Sequence, residues 1–286
     1  MSSPKVEVLL KNVCSQIGEG PHWDDASQSL YFVDIQKGDV YRWFSATGDL
    51  SKVHLVVPRR AGGYVIGQGL GLSLLEWDTA TATTIAEVDE IPTNRFNDGK
   101  CDASGRLWAG TMGKLDGEPV GSLYSLDTQR RIQKHLSGIG VSNGLAWSED
   151  NRTMFYIDTD THKISAYDFD LANGVMSNQR TAVDCPDLRP DGMTIDADGK
   201  LWVAGFGAAA VFRFDPETGQ TLQKIDIDGA KQTTSVCWGG KNRDELYLTS
   251  GRKMTDEEFQ QQPLAGSVFR ITGLGARGRP AYQYEG

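Results

Sequence analysis

The chain contains no apolar run near the ~20 residues that a bilayer-spanning helix requires, so no membrane segment is expected. Its opening stretch, MSSPKVEVLLKNVCSQIGEG, has neither a sustained apolar core nor a cleavage pattern. That predicts a cytoplasmic rather than an exported protein. Cysteine is scarce. Cys14, Cys101, Cys185 and Cys237 form no C-x-x-C pair, which argues against a thiolate zinc site and, without an export signal, predicts reduced thiols. His22, His54, His135 and His162 offer no H-E-x-x-H or other close ligand pair. His22, three residues after Glu19, reads as a core or supporting residue rather than a ligand. There is no G-x-S-x-G nucleophile in a strand-turn-helix context, and no EF-hand loop. The glycines near Gly273 form a turn rather than a phosphate cradle. Basic residues number 29 against 38 acidic ones, for a net charge of −9, and no basic patch is visible. A nucleic-acid partner is therefore not expected. Long helical periodicity is missing as well. The best helical segment is MTDEEFQQQ from Met254.

What the sequence does contain is a repeat. One apolar phrase recurs as SLYFVDI from Ser29, RLWAGTM from Arg106, TMFYIDT from Thr153, KLWVAGF from Lys200 and ELYLTSG from Glu245. The steps from Arg106 are 47, 47 and 45 residues. The gap of 77 before Arg106 leaves room for a weaker copy, GGYVIGQG from Gly62. A second phrase follows each first one: DVYRWF, SLLEWD, SLYSLD, KISAYD, AVFRFD and SVFRIT. Units of roughly 40–50 residues built from short strands are the signature of β-propeller blades. Six pairs predict an all-β, six-bladed β-propeller occupying residues 1–286 as one domain. The N-terminal VEVLL is expected to complete the last blade. Trp108, Trp147 and Trp202 fall at repeat positions and are expected in the blade core.

A polar oxygen-bearing residue before glycine recurs in register with these repeats: Glu19-Gly20, Asp98-Gly99, Asn143-Gly144 and Asp191-Gly192. Any one Asx-Gly pair reads as a turn. Glu19 resists that reading, because glutamate is not a favoured turn residue and a buried carboxylate needs a partner. In a closed ring, equivalent positions converge on the axis, so Glu19, Asn97-Asp98, Asn143 and Asp191 are expected just before the channel-lining strands, at the channel mouth. Carboxylate and amide oxygens suit Ca²⁺, Mg²⁺ or Mn²⁺, and two carboxylates with one amide leave positions open for water and substrate. Arg95, in NRFNDGK, offers a planar donor fork for a substrate oxygen, or equally a partner for one of the acids.

The segments IGEGPHW, NRFNDGK, VSNGLAW, RPDGMTID, GGKN and FRITGLGARG, in this order from about Glu7 to the carboxyl end, resemble the regucalcin/SMP-30/gluconolactonase family, whose motifs luciferin-regenerating enzymes share. The resemblance implies a six-bladed propeller with one catalytic divalent cation, calcium foremost and zinc, manganese or magnesium as alternatives. It implies Glu19, Asn143 and Asp191 as metal ligands, Asp191 also as general base, Arg95 and Asn97 as substrate-binding residues, and a small lactone as substrate. One departure matters. Lys114-Leu115 stand where the family's animal members carry an acidic pair that holds sugar hydroxyls, with Asp116 or Glu118 as substitutes if the loop is reshaped. A less polar lactone than gluconolactone becomes plausible. The alternatives are a phosphotriester hydrolase on the same site and a non-enzymatic calcium-binding regulatory protein.

Overall fold

The computed structural model describes residues 3–53, 57–76, 79, 81–88, 91–113, 119–252 and 255–286. Lys114, Leu115, Asp116 and Glu118, together with His54, lie outside the described residues.

Among the described residues, twenty-four strands form six four-stranded antiparallel sheets, the six blades expected from the repeat. The innermost strands of blades 1, 3, 4, 5 and 6 are Gly18–Asp24, Arg95–Cys101, Ser142–Trp147, Arg189–Ile195 and Thr233–Gly239. Each is followed outward by the first recurrent phrase and then by the second. The phrases are strands because they are short, near-continuous apolar runs rich in β-branched and aromatic residues, which fits strands buried on both faces. In blade 4, for example, Thr153–Asp158 pairs with Ser142–Trp147 on one side and Lys163–Asp170 on the other. Blade 6 is closed by the chain's own amino end. Lys5–Leu10 pairs with Val268–Thr272 in antiparallel register, Val6 opposite Ile271 and Val8 opposite Phe269. The ring shuts where Thr234 Oγ1 donates to the carbonyl of Gly18 at 2.5 Å.

The core consists of seams between blades rather than one central mass. Trp202 and Val211 of blade 5 pack against Val236, Leu246 and Phe269 of blade 6. Trp108 and Leu123 of blade 3 pack against Leu145, Met154 and Tyr156 of blade 4. Between blades 1 and 2 the described residues contribute Tyr31, Val33 and Val40, with Tyr64 of blade 2 packed against them. A polar device recurs at the blade base. Asp102 and Asp196 each hold a turn through main-chain amides and accept an indole hydrogen bond, from Trp108 and Trp202, both at 2.9 Å. The expected helix is present as Asp256–Gln261, opened by a capping box between Thr255 and Glu258. All four cysteines are buried and free. No helix among the described residues is long and apolar enough to cross a membrane.

Candidate metal and substrate site

The oxygen-bearing residues do converge, but they do not stand before the innermost strands as expected. They lie inside them, on a bulge. In five blades the ladder slips at the same depth: between Glu19 and His22, Phe96 and Gly99, Ser142 and Leu145, Pro190 and Met193, and Thr233 and Val236. A bulge leaves residues out of the ladder and re-aims their side chains. The unpaired residues include Asn97, Asn143 and Asp191. By this register Asn97, not Asp98, is the counterpart of Asn143 and Asp191, while Glu19 sits one residue earlier on its strand. The Asx-Gly pairs are not turns either. Of Gly20, Gly99, Gly144 and Gly192, only Gly20 has left-handed backbone, φ +53°. Gly144 is needed for close approach, since a Cβ there would sit 2.7 Å from the amide nitrogen of Met193 and 2.8 Å from the carbonyl of Asp191 in the next blade.

Together Glu19, Arg95, Asn97, Asn143 and Asp191 line one cavity of about 250 Å³. Its polar floor is a hydrogen-bonded chain. Arg95 Nη1 donates to Asn97 Oδ1 at 2.8 Å. Asn97 Nδ2 donates to Asn143 Oδ1 at 3.0 Å and to the Ser142 carbonyl at 2.9 Å. Asn143 Nδ2 donates to Thr159 Oγ1 at 2.7 Å, and Thr159 donates onward to the Pro190 carbonyl, also at 2.7 Å. The chain fixes the Asn143 amide with its oxygen toward Asn97 and its nitrogen away. Thr159 had no signal in the sequence analysis; it lies in a short 3-10 turn, Thr159–Thr161, between strands of blade 4.

The acids are buried and poorly compensated. Glu19 is 8% exposed and Asp191 5%. Burial, then the Asp98 charge, pushes the Glu19 carboxyl up to about 8, against a weak main-chain bond from Gly20 and the Arg95 charge. Burial, then the charges of Glu19 and Asp98, raises Asp191 well above the usual carboxylate range. Asp191 Oδ1 has no hydrogen-bond partner. A buried acceptor left in this state costs free energy, so the arrangement suits a missing positive partner. Among the described residues no three His, Cys, Asp or Glu side chains cluster as a ligand set, which leaves two carboxylates and the Asn143 amide oxygen. That oxygen has a second lone pair besides the one that Asn97 occupies. An all-oxygen set of this kind fits a hard divalent cation with open coordination positions.

Two further charged groups complete the site. Asp98, expected at the channel mouth but outside the ligand set that the resemblance implies, is raised by burial and acts on both Glu19 and Asp191. Arg189 lines the same cavity. It opens its strand as Arg95 opens its own, two residues before Asp191 as Arg95 precedes Asn97. The recurring Arg-x-Asn/Asp spacing was readable in RFN and RPD, but only once the Asn97 register is known.

Residues 17–252 match the family described as SMP-30/Gluconolactonase/LRE-like region. Regucalcin of Danio rerio is 42% identical over 298 residues, covering both chains completely. A luciferin-regenerating enzyme has the same fold with a TM-score of 0.91 and 33% identity, over 99% of this chain and 100% of its own. A calcium-binding protein, regucalcin, from Agrobacterium tumefaciens superposes with a TM-score of 0.91 at 27% identity, over 97% of this chain and 96% of its own. The chain belongs to the SMP-30/gluconolactonase/luciferin-regenerating-enzyme-like family.

Proposed function

We propose that the protein is a divalent-metal-dependent lactonase. The observation that carries this reading is the pair of buried carboxylates, Glu19 and Asp191, beside a fixed amide oxygen in an open cavity, with Asp191 Oδ1 lacking any partner. Glu19, Asn143 and Asp191 would hold the cation. Calcium is the leading ion, supported by the oxygen donors and by the Agrobacterium relative described as calcium-binding. When bound, the cation supplies Lewis-acid polarisation of the lactone carbonyl and stabilises the developing oxyanion.

The chain's own groups do the remaining work. Asp191 has two oxygens, so with the unpartnered Oδ1 left for the cation its other oxygen would take the proton of the attacking water. It returns that proton to the ring oxygen as the acyl C–O bond breaks, leaving a hydroxy acid. Asn97 has its oxygen committed to Arg95 and its nitrogen to Asn143, so it positions the ligand amide and the guanidinium together. Arg95 and Arg189 flank the substrate's oxygens from two blades. Ile17, Ile35, Met112, Val141 and Phe206 line the cavity beside Gln36, Thr93 and Thr159, so the wall offers contacts both to a lactone's hydrocarbon and to its polar atoms.

The test is a chelator-stripped sample resupplied with Ca²⁺, Mg²⁺, Mn²⁺ or Zn²⁺ and assayed on alkyl-substituted lactones, gluconolactone and a phosphotriester. Ion-dependent lactone opening, reduced at least ~10²-fold in kcat by Asp191→Asn, is expected. Metal binding without turnover of any ester would establish the binding-protein reading. Undiminished activity after stripping would refute the metal's role.

A further inference from the structure

The channel has a second end. The innermost strands of blades 1, 4, 5 and 6 run from the metal-site mouth to the opposite face, where Trp23, Trp147, Ile195 and Trp238 line a separate cavity of about 90 Å³. The carboxyl-terminal segment closes it from below. That segment is tied to blade 5 by Ala197 N donating to the Arg277 carbonyl, and to blade 6 by Gly278 N donating to the Arg243 carbonyl. It reaches blade 4 through Arg279 Nη2, which donates to the Trp147 carbonyl. Beyond the cavity, Tyr284 Oη donates to the Asp127 carbonyl in blade 3. Residues 279–282 thus span the mouth as a strap and contribute to the cavity wall.

The polar atoms of this cavity are unsatisfied in a consistent way. The buried indole Nε1 atoms of Trp147 and Trp238 have no hydrogen-bond partner, and neither do Arg279 Nε and His22 Nε2. This is not the chain's habit. Trp23, Trp108 and Trp202 each donate their indole hydrogen to an aspartate. Buried indoles ordinarily find an acceptor, and an unpaired buried donor calls for an explanation. Both tryptophans are only 5% exposed. Lys100 also lines the cavity; its Nζ donates one bond, at 2.6 Å to the Met193 carbonyl, leaving two ammonium hydrogens. No aspartate or glutamate lines the cavity, in a protein whose net charge is −9. Arg279, Lys100 and the two tryptophans with unpaired indoles thus belong to the wall of an apolar chamber completed by Leu145, Ile195 and Pro280, while the acid whose charge reaches Lys100, Asp98, lies outside that wall.

We propose that this rear cavity is a binding site for a short carboxylate with an apolar body. The guanidinium, the ammonium and the indole hydrogens take the carboxylate oxygens, and the tryptophan rings and Leu145 take the hydrocarbon. The volume suits a short chain, being smaller than the ~150 Å³ apolar cavity that accepts benzene. The site is separate from the metal-site cavity, with which it shares no lining residue.

Tryptophan fluorescence reads the site directly. The protein, in chelator so that no cation can hold a carboxylate at the front, is titrated with butyrate, butyramide, butylammonium and chloride at constant ionic strength. Butyrate should give a saturable change, and butyramide and butylammonium should bind at least ~10-fold more weakly. Arg279→Gln and Trp238→Phe should each weaken butyrate about 10- to 100-fold, while Asp191→Asn leaves its affinity unchanged. Should Arg279→Gln loosen the strap, Trp147→Phe decides, because the strap contacts that residue through a main-chain oxygen. The proposal is overturned by a non-saturable butyrate response, by equal binding of butyramide or chloride, or by wild-type butyrate affinity in the Trp147 and Trp238 variants.

Discussion

Replacing Glu19 with glutamine should make the metal-free protein more stable at alkaline pH, the reverse of what deleting a structural charge does. The Glu19 carboxyl is pushed from 4.5 to about 8, by burial first and then by the Asp98 charge. An acid whose folded value is raised keeps its proton longer in the folded state than in the unfolded one. Stability therefore falls as pH rises through the window from 4.5 to about 8 and stays low above it. At ~1.4 kcal/mol per pKa unit, the whole rise corresponds to ~5 kcal/mol at the upper limit. Glu19 is only 8% exposed, so solvent screens little of this. Glutamine keeps the shape and an acceptor for Gly20, and it removes the ionisation. For 286 residues, unfolding entropies of ~2 cal/mol/K per residue turn ~5 kcal/mol into a Tm difference of ~8 °C. Differential scanning calorimetry in chelator at about pH 5 and about pH 9 should show similar Tm values at the low pH and the glutamine variant ahead at the high one. Saturating Ca²⁺ should then narrow the gap by about half, since ligand at ~100 Kd stabilises only the binding-competent protein by ~2.7 kcal/mol. A glutamine variant that melts below wild type in chelator at alkaline pH, or that gains as much from the cation, would refute the assignment of Glu19 to a cation.

Three further outcomes follow from the same geometry. Thr159→Val removes the hydroxyl that accepts from Asn143 and donates to the Pro190 carbonyl; isothermal titration should show divalent-cation affinity ~10-fold or more lower, through a residue that contacts no cation itself. Gly144→Ala would force a Cβ to within 2.5 Å of the Met193 Cβ and 2.8 Å of the Asp191 carbonyl, so chemical denaturation should report a loss of ~1–3 kcal/mol, with cation affinity falling as the Asp191 strand is displaced. Asp102→Ala strips the acceptor from the buried Trp108 indole and the Arg106 guanidinium; a loss of ~3 kcal/mol or more is expected from the unpaired charge and donor, with the KM for the lactone unchanged because the base of blade 3 lies away from the metal-site mouth.

The blades were legible because each strand is sandwiched between neighbours, so its apolar residues repeat with the blade. Phrases such as RLWAGTM and KLWVAGF carry that burial in composition alone. The closing strand was legible for the same reason: VEVLL had no partner within its own blade. The bulge was not. Asp98-Gly99 and Asp191-Gly192 look alike as dipeptides, yet their glycines meet different surfaces. A Cβ on Gly99 would strike the Trp108 carbonyl in its own blade, and one on Gly192 would strike Ser235 in the next. Where the ladder slips is decided by the neighbouring blade, which no local string encodes. The consequence is chemical as well as geometric. One residue of slip brings Asn97 level with Asn143 and Asp191, and leaves Asp98 to act on the acids by charge. The site's polarity thus depends on a register that the ring imposes. The same convergence gathers Trp147 and Trp238, far apart in sequence, at the rear of the channel. Their unpaired indoles become visible only once blades 4, 5 and 6 are set side by side around the axis.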